Sequence, residues 1–199
     1  MTARSAQDLS PEHTPADFIT RFDQGSLTAL KEERMDTMEP LGTVSELALA
    51  LAGFSGIVIV FGRWKDADVA FEGYRIKLLL LASFGAMFLA LTPVLFQQMG
   101  MTEPSLWILS NLLMGLFSLM FVAVLWNPTR RYMRKHPNMF YVPLLSAILI
   151  GYALNISVQL MAAAGLVPLS RSGVFLAGLY WLLAHSAIQF ARLLFVKSG

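Results

Sequence analysis

Five long apolar stretches limit what this chain can fold into more than any other feature of its sequence. Each is about 19 to 24 residues long, enough to cross a bilayer core of roughly 30 Å at about 1.5 Å per residue. Charged residues make up 14% of the 199 residues, against about 25% in typical globular proteins, so the chain could not surround five all-round apolar helices with polar ones. We therefore predict an all-α membrane protein with five transmembrane helices in an up-down bundle. The stretches cover residues 43–61, 76–96, 105–126, 140–163 and 174–196.

The segment before the first stretch has a different composition. Residues 1–40 are polar, hold most of the acidic residues and show no sustained apolar period, which predicts a mostly disordered tail. A short surface helix running up to Met35 is the alternative for part of it. The predicted organisation is a tail over residues 1–40 and a five-helix membrane domain over residues 41–199.

The loops differ sharply in positive charge, and this difference predicts the orientation. Loops 97–104 and 164–173 together hold a single basic residue, Arg171. The other two loops and the C-terminal end are rich in lysine and arginine. Because basic loops remain in the cytoplasm, we expect a multi-pass protein of the plasma or inner membrane with its N-terminus outside and its C-terminus in the cytoplasm. The basic cluster after the third stretch, together with a basic residue of the fifth, would also contact anionic lipid head groups. Its members are Arg130, Arg131, Arg134 and Lys135, with Arg192.

The fifth stretch carries a stripe of hydrogen-bonding side chains. Trp181, His185, Gln189 and Arg192 follow at i, i+4, i+8 and i+11 and so share one helix face, which must contact other helices or trapped water because unpaired polar groups are costly in hydrocarbon. His185 near the middle could relay protons, bind a metal or haem, or simply bond to a neighbouring helix. A haem held by two histidines is disfavoured, since His13 and His136 lie outside the spans.

The fourth stretch offers a partner for this stripe. Tyr152, Asn155 and Gln159 recur at i, i+3 and i+7, and a short loop makes the fourth and fifth stretches antiparallel neighbours. Tyr152 or Asn155 could then reach His185. Such interhelical hydrogen bonds are worth about 0.6 to 2 kcal/mol each, so the same residues are explained either as a polar route or as helix-packing contacts.

Glu46 is the one carboxylate close to the interior of a span. Thr43 and Glu46 fit a capping box, in which the two side chains satisfy backbone donors at the start of a helix. If Glu46 instead points inward, it would gather with Asn111, Asn155 and Gln159 as a vestibule for a cation or polar ligand.

Small residues predict where helices approach closely. The first stretch has Ala52, Gly53 and Gly56, and the third has Gly115 and Ser118. Faces of this kind pack against another helix, either within the chain or in a dimer.

No catalytic or metal-binding motif is present. The chain has no cysteine, and it lacks the H-E-x-x-H, G-x-S-x-G, P-loop and dinucleotide-binding patterns. We therefore expect no metal, no cofactor and no nucleic acid, and the sequence favours a protein without enzymatic activity while leaving that question open.

The sequence favours two functions over a third, a membrane-embedded enzyme or haem carrier, which has no motif behind it. The first is a transport or channel-like protein that passes a proton, a small ion or a polar solute. The second is a non-transporting accessory or scaffold subunit in which the polar residues only hold helices together. A homo-oligomer or a membrane partner protein is expected in either case, with the lipid bilayer as surroundings. The candidate path consists of Glu46, Asn111, Tyr152, Asn155, Gln159, His185 and Gln189.

Overall fold

The computed structural model describes residues 39–57, 69–135 and 142–195, and this part of the chain is all-helical. Its five helices are long and apolar enough to cross a membrane, as the sequence predicts, and they suggest a multi-pass membrane protein. Residues 1–38, which hold the expected tail and surface helix, lie outside the described residues. The helices are α1 Glu39–Ile57, α2 Val69–Gln98, α3 Glu103–Lys135, α4 Val142–Ala163 and α5 Arg171–Phe195.

Most helices extend beyond the apolar stretches that predicted them. Helix α1 includes Glu39, although the predicted stretch starts at Thr43. Helix α3 runs through Pro128 to Lys135 instead of ending at Trp126. A proline removes only one amide donor, so a helix can continue past it at the cost of a kink. A hydropathy pattern identifies the apolar part of a helix. The hydrogen-bonded helix itself can continue through the polar residues on either side.

Two glycines end helices and set the turns. Gly100 and Gly165 have φ angles of 77° and 73°, a left-handed conformation that glycine adopts without a steric penalty. After α4, the amide of Leu166 donates to the carbonyl of Met161 at 2.8 Å and Gly165 donates to Ala162 at 3.1 Å, the arrangement of a Schellman cap. These caps keep the α2–α3 and α4–α5 connections short.

The helices α2 to α5 form a ring around a shared interior. Along the ring α2 packs against α3, α3 against α4, α4 against α5 and α5 against α2, and α3 also contacts α5 across the middle. No such contact joins the described lengths of α2 and α4. Beside the contact between α3 and α5, one cavity is lined by residues of all four helices.

Glycines let these helices approach closely. A Cβ at Gly151 of α4 would overlap the Trp181 ring of α5, and one at Gly85 of α2 would overlap the Phe117 ring of α3. Gly115 lies against Leu160, and Gly178 faces the Gln159 amide. Each helix of the ring thus contains a glycine that receives a side chain of a neighbour.

One face of α1 joins the core. Leu41, Val44 and Ala48 are buried with Ala82 and Ala86 of α2 in one apolar cluster. Ala52 and Ser55 continue this buried face. By contrast, Gly53 and Gly56 are exposed, with open space where a Cβ would lie, so the small residues of α1 divide between two faces.

Candidate functional site

A hydrogen-bonded network centred on His185 lies in the interior. The Tyr152 hydroxyl of α4 is 2.7 Å from Nδ1 of His185, and the Gln189 amide is 3.0 Å from Nε2 of the same ring. All three side chains are buried. The structure therefore brings together α4 and α5 through Tyr152, one of the two partners that the stripe spacing had suggested for His185.

In the two hydrogen bonds of His185, the choice of donor and acceptor at one ring nitrogen sets the choice at the other. A neutral imidazole has one N–H donor and one acceptor nitrogen, and the two ends of a glutamine amide are assigned from their surroundings. If Tyr152 donates to Nδ1, then Nε2 carries the proton and requires the amide oxygen of Gln189. In either arrangement one end of that amide has no protein partner, as Oε1 has none among the described residues.

Aromatic rings fix the position of this network. Phe121 of α3 stacks on Tyr152 with ring centroids 5.1 Å apart, and it meets the His185 ring edge-on at 5.6 Å. Trp181 contacts Tyr152 edge-on at 5.9 Å. Offset-stacked and edge-to-face pairs are favourable aromatic geometries, so α3, α4 and α5 are held together around His185.

A second group of polar residues, the amide cluster, lies further along the same helices and comprises Asn111, Ser118, Asn155 and Gln159. Asn155 donates to the Ser118 hydroxyl at 3.0 Å rather than to His185. Gln159 donates to the Val174 carbonyl at 2.9 Å and to the Asn155 side chain at 3.2 Å. Asn111 donates to the carbonyls of Trp107 and Arg171 at 2.6 and 3.0 Å. The donor ends of these amides are thus committed to protein acceptors.

Glu46 does not join the amide cluster, and it does not form the expected cap. Its side chain is exposed on α1, while the buried face of this helix contains Val44 and Ala48. At about 100° per residue, Glu46 points away from that face. Since the helix already includes Glu39, Thr43 lies inside it and cannot be its N-cap.

Next to the His185 network lies a cavity lined by α2, α3, α4 and α5, with a volume of about 70 Å³. Ligand sites typically have mostly apolar walls and a few polar groups. Eight of the lining residues are apolar, among them Val122, Leu125 and Leu149. The others are Tyr74, Arg75, Thr129, Tyr152, His185, Gln189 and Arg192.

The cavity lies toward one end of the ring, which we call the basic end. It is lined by residues near the starts of α2 and α4 and near the ends of α3 and α5. Tyr152 is about 15 Å from the start of α4 at the helical rise. The Tyr152, His185 and Gln189 side chains therefore lie deep in the cavity.

Arginine side chains are prominent at this end. Arg75 of α2 is buried, with 3% of its surface exposed, and Arg192 of α5 is half-buried. Both line the cavity, and its described lining contains no carboxylate. The predicted span 76–96 left Arg75 in the basic loop before it. In the structure α2 begins at Val69, so Arg75 lies within the helix, one turn from Leu78.

Close by, Tyr74 hydrogen-bonds to Thr129 of α3 and stacks on Tyr132 at a centroid distance of 5.0 Å. These contacts join α2 to α3 beside the cavity. The wall on this side is therefore built from fixed rings rather than from a loop.

The remaining basic cluster lies at the C-terminal end of α3. Arg130 lies over the Trp126 ring at 5.5 Å, within the range of a cation–π contact. A shallow depression nearby is lined by Asn127, Arg130, Arg131, Arg134 and Lys135. Within the described residues no group of three or more metal-ligating side chains occurs.

Comparison of the chain with protein-family models, with curated proteins and with solved structures found no match. The functional interpretation accordingly rests on the geometry of the cavity and its lining.

Proposed function

We propose that this is a multi-pass membrane protein that binds a small amphiphilic molecule in the cavity at its basic end, as a carrier or transporter of that molecule. The observation that supports this best is a concavity within the helix ring that combines apolar walls with buried hydrogen-bonding groups, Tyr152, His185 and Gln189. An amphiphile can satisfy both kinds of surface, whereas water satisfies only one.

The proposal includes an up-down bundle inserted in the membrane. Short turns join α2 to α3 and α4 to α5, and the cavity lining combines helix starts with helix ends, as alternating directions require. With the basic end in the cytoplasm, the cavity opens toward the inner leaflet. The cluster Arg130, Arg131, Arg134 and Lys135 then contacts anionic head groups at the same surface.

The transported species in this proposal is a molecule that occupies the cavity. It is not an ion conducted along the polar residues. Beyond the cavity, the donors of Asn111, Asn155 and Gln159 bond to protein acceptors, mostly carbonyls that join two helices. An ion passing there would have to break these bonds without replacing them, which costs about 1 to 3 kcal/mol for each group left unsatisfied. Tyr152, His185 and Gln189 are the part of the candidate path that this proposal retains.

The experiment is to fill the cavity with a larger side chain. Val122 lines the cavity, whereas Val124 on the same helix is 60% exposed and faces outward. Native mass spectrometry of protein purified in a neutral detergent should show a retained amphiphile on the wild type and on Val124→Phe, and its loss from Val122→Phe. An identical ligand content in both variants, or none in the wild type, would contradict the proposal.

The accessory-subunit function has its own supporting observation on α1. Gly53 and Gly56 face outward with open space beside them, and Glu46 is exposed on the same helix. Small residues on an outer face allow another helix to approach closely. Gly53→Leu should then reduce cross-linking between α1 and a second membrane helix, measured in intact membranes; unchanged cross-linking would remove this support.

A further inference from the structure

One end of the Gln189 amide has no protein partner at the cavity, and this free end specifies the head group of the ligand. Gln189 lines the cavity and is 3% exposed, and its Oε1 atom has no hydrogen-bond partner among the described residues. We propose that the cavity binds a small neutral amphiphile through a hydroxyl group held by the Gln189 amide, with the first carbon atoms of its chain against the apolar walls. This rests on the function proposed above.

A hydroxyl group pairs with Gln189 in both arrangements of the His185 network. If Nε2 of His185 accepts from the Gln189 amide, the free end of that amide is the carbonyl oxygen, which needs a donor. If Tyr152 donates to Nδ1, then Nε2 carries the proton and the free end is the NH₂ group, which needs an acceptor. A hydroxyl both donates and accepts, so it satisfies Gln189 in either case.

The cavity does not require a charged head group. Arg75 and Arg192 line it, and both already interact with other residues of the chain, so the ligand need not compensate their charge. A charged head group would lose its hydration among mostly apolar walls, which costs far more than the transfer of a hydroxyl that keeps a hydrogen bond. A neutral head group therefore fits this lining.

The size of the cavity limits how much of the ligand it encloses. Its volume is about 70 Å³, whereas an apolar cavity of about 150 Å³ is large enough for benzene. It therefore holds a hydroxyl group and a few carbon atoms, which contact Val122, Leu125 and Leu149. Water also donates and accepts, but it would leave these apolar side chains in contact with water. The rest of a longer chain leaves through the proposed opening at the basic end.

The test is photolabelling of the full-length protein in phosphatidylcholine vesicles with 3-azioctanol, an eight-carbon alcohol that carries a photoreactive diazirine. The comparison compound is 4-azinonane, in which a methyl group replaces the hydroxyl. Labelling of Val122 and Leu149 is measured by mass spectrometry and divided by the labelling of Leu154, which is 61% exposed on α4. We expect this ratio to be about tenfold higher for the alcohol, because the hydrocarbon leaves the Gln189 amide unsatisfied. Excess 1-octanol should remove the difference.

Substitutions of Gln189 assign the preference for a hydroxyl to its amide. Gln189→Met removes the amide and should lower the ratio for 3-azioctanol about tenfold, to the value of 4-azinonane. Gln98→Met is the control with the same chemical change, because Gln98 is exposed at the end of α2 and outside the cavity lining. If Gln189→Met does not fold, Gln189→Asn decides the question: it keeps an amide but shortens its reach by one methylene, and it should also lower the ratio.

The possible failures of this test have different meanings. Equal ratios for the two compounds, both lost in Val122→Phe, would overturn the requirement for a hydroxyl and leave the proposed cavity function intact. A preference for the alcohol that persists in Gln189→Met would overturn the assignment of the hydroxyl to Gln189. Labelling of the cavity residues no higher than that of Leu154 with either compound would overturn both proposals.

Discussion

His185 has both ring nitrogens within hydrogen-bond distance of buried side chains, Tyr152 on α4 and Gln189 on its own helix. A histidine placed in this way connects two helices and orients an amide at the cavity. Its role in packing and its role in binding are therefore not exclusive. Under the proposed function, the same network joins two helices and lines the binding cavity.

Removing the hydroxyl of Tyr152 should measure the packing role. Tyr152→Phe leaves the stacked ring in place but deletes the bond to His185, which should lower the free energy of unfolding by about 0.6 to 2 kcal/mol. Tyr180→Phe is the control, since Tyr180 is 53% exposed on α5. Both are compared by thermal unfolding in the same detergent. Equal transition temperatures for the two variants would show that the Tyr152–His185 bond contributes nothing measurable.

Residue spacing predicted part of this site because it depends on one helix at a time. Positions 181, 185 and 189 had to share a face, and a short turn made α4 the neighbour that supplies Tyr152. The exposure of the Glu46 side chain could not be predicted in this way, because it depends on how α1 is rotated against α2. Arg75 was missed because its charge suggested a loop, although it is buried in a helix.

At the scale of helices, the close approaches around the ring depend on glycines that receive larger side chains. Because Gly151 has no Cβ, the Trp181 ring packs directly on its backbone and contacts Tyr152. Small-residue patterns alone predicted Gly115 but did not identify Gly85, Gly151 or Gly178. Their partners are a phenylalanine, a tryptophan and a glutamine on other helices, which no pattern within one helix can show.

Alanine substitutions at two glycines should have opposite effects. Gly151→Ala places a methyl group where the Trp181 ring lies, and overpacking of this kind typically costs 1–3 kcal/mol. Gly53→Ala has open space around it and should gain about 0.5 to 1 kcal/mol, because alanine loses less entropy in a helix. Thermal unfolding of both variants checks this. A stabilised Gly151→Ala would mean that the Trp181 ring does not pack on Gly151.

The ends of the helices were less predictable than their apolar centres. Charge after Trp126 suggested a loop, yet α3 continues to Lys135, because backbone hydrogen bonds do not require apolar side chains. This extension brings Thr129 to Tyr74. Contacts that shape the mouth of the cavity were therefore beyond what a hydropathy pattern could indicate.

At the scale of the molecule, the two halves of the helix ring differ in what their polar groups do. The amide cluster is tied to protein acceptors that link α3, α4 and α5, whereas Gln189, Arg75 and Arg192 line an open cavity. All-helical class and five apolar helices were predictable from the sequence. The difference between the amide cluster and the polar residues that line the cavity was not predictable, because both groups recur at helical spacing.

The proposed function has the cavity open at the basic end, toward the cytoplasm. Single cysteines test this opening most directly, because the chain contains no cysteine. Val122 lines the cavity, and Ser118, one turn deeper, is buried. The reagent is sulfonatoethyl methanethiosulfonate, a small membrane-impermeant anion, applied to vesicles of either orientation. We expect Val122→Cys to react from the cytoplasmic side only and Ser118→Cys from neither side. Reaction of Val122→Cys from both sides, or of Ser118→Cys from the outer side, would contradict the account.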